Sequence, residues 1–247
     1  MLGAYLAEKG FEVLSVREPG STPVSEEIRK CLLKPQEKEL SYDSYYERIQ
    51  ATYSNIKSGL DDVSKSFLNG ALLAQHIFEV QNPERKKELN RAAEFYLFAG
   101  ARRPLLKRVV VPHLKKGKRH IVLSDRCALT SKCYQGYGYD PNDIVFMQSI
   151  DEINHIATCG VSCDRAVFLD QEPNERLDKT ATSEFGMKDR IEQKPLEYHL
   201  NVRRGYLDMA RQDPERIKIV PFLEDQKEKM HEMIVKHVDE YLDSLIK

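Results

Sequence analysis

Four short apolar runs, each separated from the next by enough chain for at least one helix, constrain this sequence more than any other feature. They lie at 11–16, at 119–124 around Ile121-Val122-Leu123, at 165–170 around Ala166-Val167-Phe168-Leu169, and at 216–221. An unbroken apolar run suits a strand covered on both faces, whereas a half-solvated strand would alternate. Between the runs, residues 2–9 read as a helix stopped by Gly10, and Ser25 as the cap of a helix reaching Leu33. Residues 91–116 read as a long helix kinked or restarted at Pro104. Helices are also expected at 143–157, 196–210 and 225–246. Strands alternating with helices in this way predict an α/β fold, a doubly wound parallel sheet.

Residues 41–90 do not belong to that alternation. Tyr42, Tyr45, Tyr46, Ile49, Tyr53, Ile56 and Leu60 recur at three- and four-residue steps, and a second helical pattern spans 67–80. The tyrosine stripe reads as packing, because basic residues are not interleaved with it as in a nucleic-acid stacking platform.

The 247 residues carry 38 basic and 39 acidic side chains, a net charge of −1. That balance argues against a general nucleic-acid binder. No apolar run approaches the roughly 20 residues of a membrane span, and the first ten residues lack the basic start and apolar stretch of a signal peptide. Five scattered cysteines read as reduced thiols. Cys159 and Cys163 are close, but no second pair at zinc-like spacing accompanies them. The expected compartment is the cytoplasm.

In doubly wound sheets, ligands collect at the carboxyl ends of strands. Arg17-Glu18-Pro19-Gly20 follows the first run, Asp125-Arg126 the second, and Asp170 closes the third. An Asp-Arg pair reads either as a surface ion pair or as a phosphate-holding arginine beside a magnesium-binding carboxylate. The segment after it, from Thr130 through Tyr134 and Gln135 to Tyr139, is dense in hydroxyl, amide and aromatic groups. That mixture suits a flat heterocycle, which needs both stacking and edge hydrogen bonds.

At this point five ordered segments resemble the thymidylate kinase family. REPGST at 17–22 resembles its REPGGT loop, and EFYLFAGAR at 94–102 its E-x-x-L-F-A-A-x-R helix. SDRCALTSKCYQG at 124–136 is similar to D-R-Y-x-x-S-x-x-A-Y-Q-G, FLD at 168–170 to the strand before the lid, and DRIEQ at 189–193 to the lid's end. The resemblance implies a P-loop NTPase type of fold, one domain over 1–247, a helical insertion at 41–90 and a lid at 171–193. It implies transfer of a phosphoryl group from ATP to thymidine monophosphate (dTMP), with Mg2+, in a possible homodimer. Two alternatives are a related nucleoside or deoxynucleoside kinase with another acceptor, and a non-catalytic nucleotide-binding relative.

Residue by residue, the resemblance gives Asp125, Arg126 and Arg190 catalytic parts, Asp125 also holding the metal. Arg17, Glu18 and Pro19 would line the acceptor phosphate, Phe98 stack on the base, and Arg102 bind near base and phosphate. Thr130, Tyr134 and Gln135 would shape and read the pyrimidine pocket. The sequence departs from the family pattern in having no G-x-x-x-x-G-K-S/T phosphate loop. Residues 1–10 resemble the second half of the helix that follows that loop. The expectation is therefore a truncated form that lacks the central first strand and binds ATP poorly. Cys127 stands where Tyr or His is usual, and Pro104 where glutamine is common.

Overall fold

The computed structural model describes residues 1–33, 43–173 and 189–245. Most of the expected lid, 174–188, lies outside these, as do Tyr42 and residue 41 of the insertion. Helix α1 (Leu2–Glu8) leads into β1 (Glu12–Arg17), and a loop then feeds α2 (Pro23–Leu33). The start of α2 differs from the sequence expectation. Thr22 supplies the cap, its Oγ1 accepting from Ser25 N at 3.1 Å, while Ser25 turns inward and donates to the Ala101 carbonyl at 2.6 Å. A proline opening the helix explains the shift, since its missing N–H costs nothing in the first turn.

Two further helices fill the 41–90 stretch: α3 (Tyr45–Ile56), capped by Ser44, and α4 (Asp62–Gln81), capped by Asp61. Helix α4 begins five residues before its apolar pattern does, because Asp61 Oδ1 accepts from Ser64 N at 2.9 Å. Helix α5 (Arg91–Leu105), capped by Asn90, runs straight through Pro104. The disturbance comes two residues later, as a π turn over Leu106–Val110, before α6 (Val111–Leu114). Proline removes one backbone donor, and the wider turn accommodates the misfit.

Strand β2 (His120–Asp125) pairs in parallel with β1, from Glu12↔His120 to Arg17↔Asp125. A short helix α7 (Ala128–Ser131) continues as a π turn, Lys132–Tyr137. Helix α8 (Ile144–Ala157) follows, capped by Asp143, and then β3 (Ala166–Asp170) and α9 (Leu196–Gln212). Strand β4 (Ile217–Pro221) pairs in parallel with β3, and α10 (Lys227–Ser244) closes the fold. It is clasped to α1 where Tyr5 Oη donates to Asp239 at 2.5 Å.

Among the described residues, then, the sheet is two parallel pairs, β1-β2 and β3-β4. This is the α/β arrangement expected of a doubly wound sheet without its middle strand. The consequence shows in the apolar runs. Ile121, Val122 and Leu123 are only half-buried, and Leu169 is 44% exposed, although their sequence suits two-sided cover.

The main core lies chiefly among α2 to α5 and α9, with Ile217 of β4 reaching it from the strands. Ile28, Leu32, Ile49, Leu68, Ala71, Leu97 and Ala101 are all sealed from solvent there. Helix α4 lies against α5 closely enough that any Cβ at Gly100 would run into Leu68. The 41–90 helices are thus part of the core. Leu68→Ala is expected to lower stability by about 3 kcal/mol in urea unfolding. Asn69→Ala, at an exposed position on the same helix, should change it by less than about 0.5 kcal/mol. Equal small effects at both positions would remove α4 from the core.

Candidate active site

The register of β1 with β2 sets Arg17 opposite Asp125, and Glu18 N then donates to the Asp125 carbonyl at 3.0 Å. The loops leaving both strands therefore start side by side. After β1 the chain passes a cis Glu18-Pro19 bond and Gly20, whose φ of +144° and 2.6 Å clearance to Glu26 Oε1 leave no room for a side chain. Arg17 Nη2 and Ser21 N both donate to Glu26 Oε1, at 3.1 and 3.0 Å. Burial opposes the Glu26 charge, but these donors outweigh it and hold the carboxyl below its ordinary range.

After β2, Arg126 takes a left-handed turn (φ +69°) stabilised by Ser124 Oγ, which donates to its carbonyl at 2.6 Å. The residue is exposed, and its guanidinium lies over the Tyr134 ring, 5.0 Å from the centroid. Asp125 is exposed beside it.

Arg102 is the opposite case, 2% exposed at the far end of α5. Its Nε donates to Glu18, its Nη1 to Asn154 Oδ1 at 2.5 Å and its Nη2 to Ser131 Oγ at 3.0 Å. One side chain thus joins the β1 loop, α7 and α8. Four residues back, Phe98 is half-buried against the main core. Thr130 Oγ1 accepts from Tyr206 Oη at 3.0 Å, and Tyr206 stacks on Phe168 with centroids 4.5 Å apart. The Tyr134 carbonyl accepts from Tyr198 Oη at 3.0 Å.

The structure brings Arg17, Glu18, Pro19, Asp125 and Arg126 to the strand ends, with Arg102 directly behind them through Glu18. It does not put Gln135 and Arg190 in that group. Gln135, 1% exposed, donates to Glu94 Oε1 at 2.7 Å, and Arg190 Nη2 donates to Glu94 Oε2 at 2.6 Å. Arg190 is tied further to the end of α2, its Nε donating to the Leu32 carbonyl at 3.0 Å. A hollow of about 600 Å³ lies between α1 and β1, lined by Gly3, Ala4, Ala7, Phe11, Val13 and Ser15, and belongs to neither group.

The thymidylate kinase family model matches residues 63–234. The thymidylate kinase of Chlorobaculum tepidum is 29% identical over 245 residues, covering 96% of this chain and 88% of that one. That of Pelotomaculum thermopropionicum is 29% identical over 247 residues, covering 100% and 88%, and that of Symbiobacterium thermophilum 30% identical over 221, covering 89% and 76%. Among solved structures, thymidylate kinase from Ehrlichia chaffeensis aligns with a TM-score of 0.58 over 96% of this chain and 88% of that chain, at 20% identity.

Sequence reasoning gave Glu94 no role, yet it organises the second group. It is sealed from solvent and receives Tyr139 Oη at 3.1 Å besides Gln135 and Arg190. Burial and then the Glu94 charge push the Tyr139 hydroxyl well above its ordinary range, so it remains a donor. The available signal was spacing: Glu94, Phe98 and Arg102 are four residues apart and share one face of α5. Removing a carboxylate that faces a buried guanidinium leaves that cation uncompensated. Glu94→Ala is accordingly expected to cost about 3–5 kcal/mol in chemical denaturation, and a loss below about 1 kcal/mol would show that the pair can be dispensed with.

Proposed function

The chain belongs to the thymidylate kinase family, and on that premise we propose how its own residues serve the reaction, phosphoryl transfer from ATP to dTMP. The observation that carries the proposal is the Arg17↔Asp125 register. It gathers two guanidinium groups, Arg17 and Arg126, and a carboxylate at the carboxyl ends of neighbouring strands.

The dTMP phosphate docks on Arg126, whose charge meets it from solvent at low cost in reorganisation because the left-handed turn already fixes the backbone. Arg17 and the Glu18-Pro19 loop bound the same space, and Arg102 holds Glu18 in position. The base lies against Phe98, with Tyr134 and Thr130 shaping its pocket and Gln135 at its pyrimidine edge. Arg190 acts through Glu94, fastening the C-terminal end of the 171–193 lid region to the acceptor wall. Phosphoryl transfer needs positioning and charge neutralisation more than covalent chemistry, and this set supplies both on the acceptor side.

Asp125 offers a hard oxygen donor at an exposed position, which suits Mg2+ held by one carboxylate together with water and phosphate oxygens. Bound there, Mg2+ would neutralise charge on the transferring phosphoryl group. The sequence has no glycine-lysine phosphate loop, so ATP is expected to bind weakly to this chain by itself.

Five free thiols support a reducing, cytoplasmic setting. A homodimer is part of the proposal, supported by the exposed stripe Leu73, Ile77 and Val80 on α4. Light scattering is expected to find a dimer that Ile77→Glu dissociates, and monomers in both preparations would remove it.

Calorimetry tests the acceptor site. Arg126→Ala is expected to weaken dTMP binding about 10- to 100-fold, the worth of a charge-assisted contact of about 1.5–3 kcal/mol, and to leave thymidine binding unchanged. Equal dTMP affinity in wild type and variant would take Arg126 out of the phosphate site. A coupled assay over a panel of nucleosides and monophosphates then identifies the acceptor.

A further inference from the structure

Glu94 stands one helical turn before Phe98 on α5 and is sealed from solvent, so the groups that satisfy its carboxylate come from the protein. Its Oε1 accepts from Gln135 Nε2 at 2.7 Å, and its Oε2 from Arg190 Nη2 at 2.6 Å and Tyr139 Oη at 3.1 Å. All three partners donate, because a carboxylate that faces a guanidinium offers only acceptors. The consequence falls on Gln135. A primary amide has a donating end and an accepting end, and Glu94 takes up the donating one. The carbonyl oxygen is left on the edge turned away from the carboxylate. Gln135 is 1% exposed, yet its Oε1 accepts from no group among the described residues. A buried acceptor in that condition is one that a ligand's N–H would satisfy.

We propose that Glu94 is a positioning residue that sets which base the acceptor site takes. By holding the amide NH2 of Gln135 it presents only the carbonyl oxygen, so the site selects a pyrimidine with a hydrogen on ring N3. The inference rests on the reading above, in which Gln135 lies at the pyrimidine edge of a base held against Phe98. A thymine-type ring brings the N3–H that the oxygen lacks. A cytosine-type ring brings a lone pair there instead, and two acceptors would face each other away from water. A glutamine free to turn over would serve both rings, donating to one and accepting from the other. Glu94 removes that freedom without touching the substrate. Arg190 shares in the device, since a guanidinium on Oε2 tolerates only an acceptor at position 94.

Calorimetry with two nucleotides tests this on the full chain: dTMP, and 5-methyl-deoxycytidine monophosphate, which keeps the methyl group and the phosphate but has a lone pair on N3. Contacts at Arg126 cancel in the ratio of the two affinities. Wild type is expected to prefer dTMP by roughly 10- to 100-fold, the effect of one mispaired buried group. In Glu94→Gln, Arg190 and Tyr139 retain the new side chain's oxygen and its NH2 turns to Gln135. The Gln135 amide then inverts, and the preference is expected to reverse in favour of the cytosine nucleotide. That variant leaves a buried guanidinium without a carboxylate, so a second, Glu94→Gln with Arg190→Met, removes the charge pair together. There the preference is expected to disappear. A carboxylate of purely structural importance would weaken both nucleotides alike. The wild-type ratio persisting in either variant would therefore overturn the proposal, as would equal binding of both nucleotides by wild type. Wild type binding neither nucleotide would instead take away the acceptor reading, and this proposal with it.

Discussion

A guanidinium closed off from water must find its partners inside the fold, and Arg102 finds them on three other elements. Glu18 neutralises its charge, while Asn154 and Ser131 take up its remaining donors. Asn154 in turn donates to the Ala128 carbonyl at 3.1 Å, so the start of α7 is held by the side chain that holds Arg102. Such a buried pair adds little net stability, since desolvation offsets most of the attraction. What it adds is a single permitted arrangement: moving the β1 loop, α7 or α8 alone would strand a charge or a donor. The strand-end geometry rests on that constraint.

The same logic explains why most of the core lies among the helices, with few strand residues in it. Strands β2 and β3 each bond to one neighbour among the described residues, and their apolar side chains remain half in water. Cohesion comes instead from the helices, where α4 seals α5 through Leu68 and Ala71. Uncovered strand edges carrying apolar residues are places where another extended segment would add hydrogen bonds and bury surface together.

How much of this was legible follows from the range of each interaction. The four strands were readable because continuous apolar runs depend on local composition, and the Gly10 and Gly20 breaks because backbone sterics are local too. The start of α4 was not, since Asp61 rather than an apolar residue sets it. Ser25 was read as a cap because the reading could not see Ala101, distant in sequence, as a competing acceptor. Arg102, Gln135 and Arg190 were found by resemblance. Glu94, which holds two of them, was overlooked because a glutamate on a helix is ordinarily solvated, and only the folded contacts show that this one is not.

Arg102 and Arg126 carry the same charge to opposite ends. Arg102 is matched by a carboxylate and shut away, so its field at the strand ends is largely cancelled. Arg17 shares Glu26 with the Ser21 amide. Arg126 lies on the Tyr134 ring, with no carboxylate hydrogen-bonded to it among the described residues, and the ring's negative face favours its charge. A left-handed turn at a non-glycine residue carries a strain of about 1 kcal/mol or more, and here it aims a cation at the strand ends. In the proposed reading the acceptor phosphate therefore depends on Arg126 for its charge, and on Arg102 only for the position of the loop beside it.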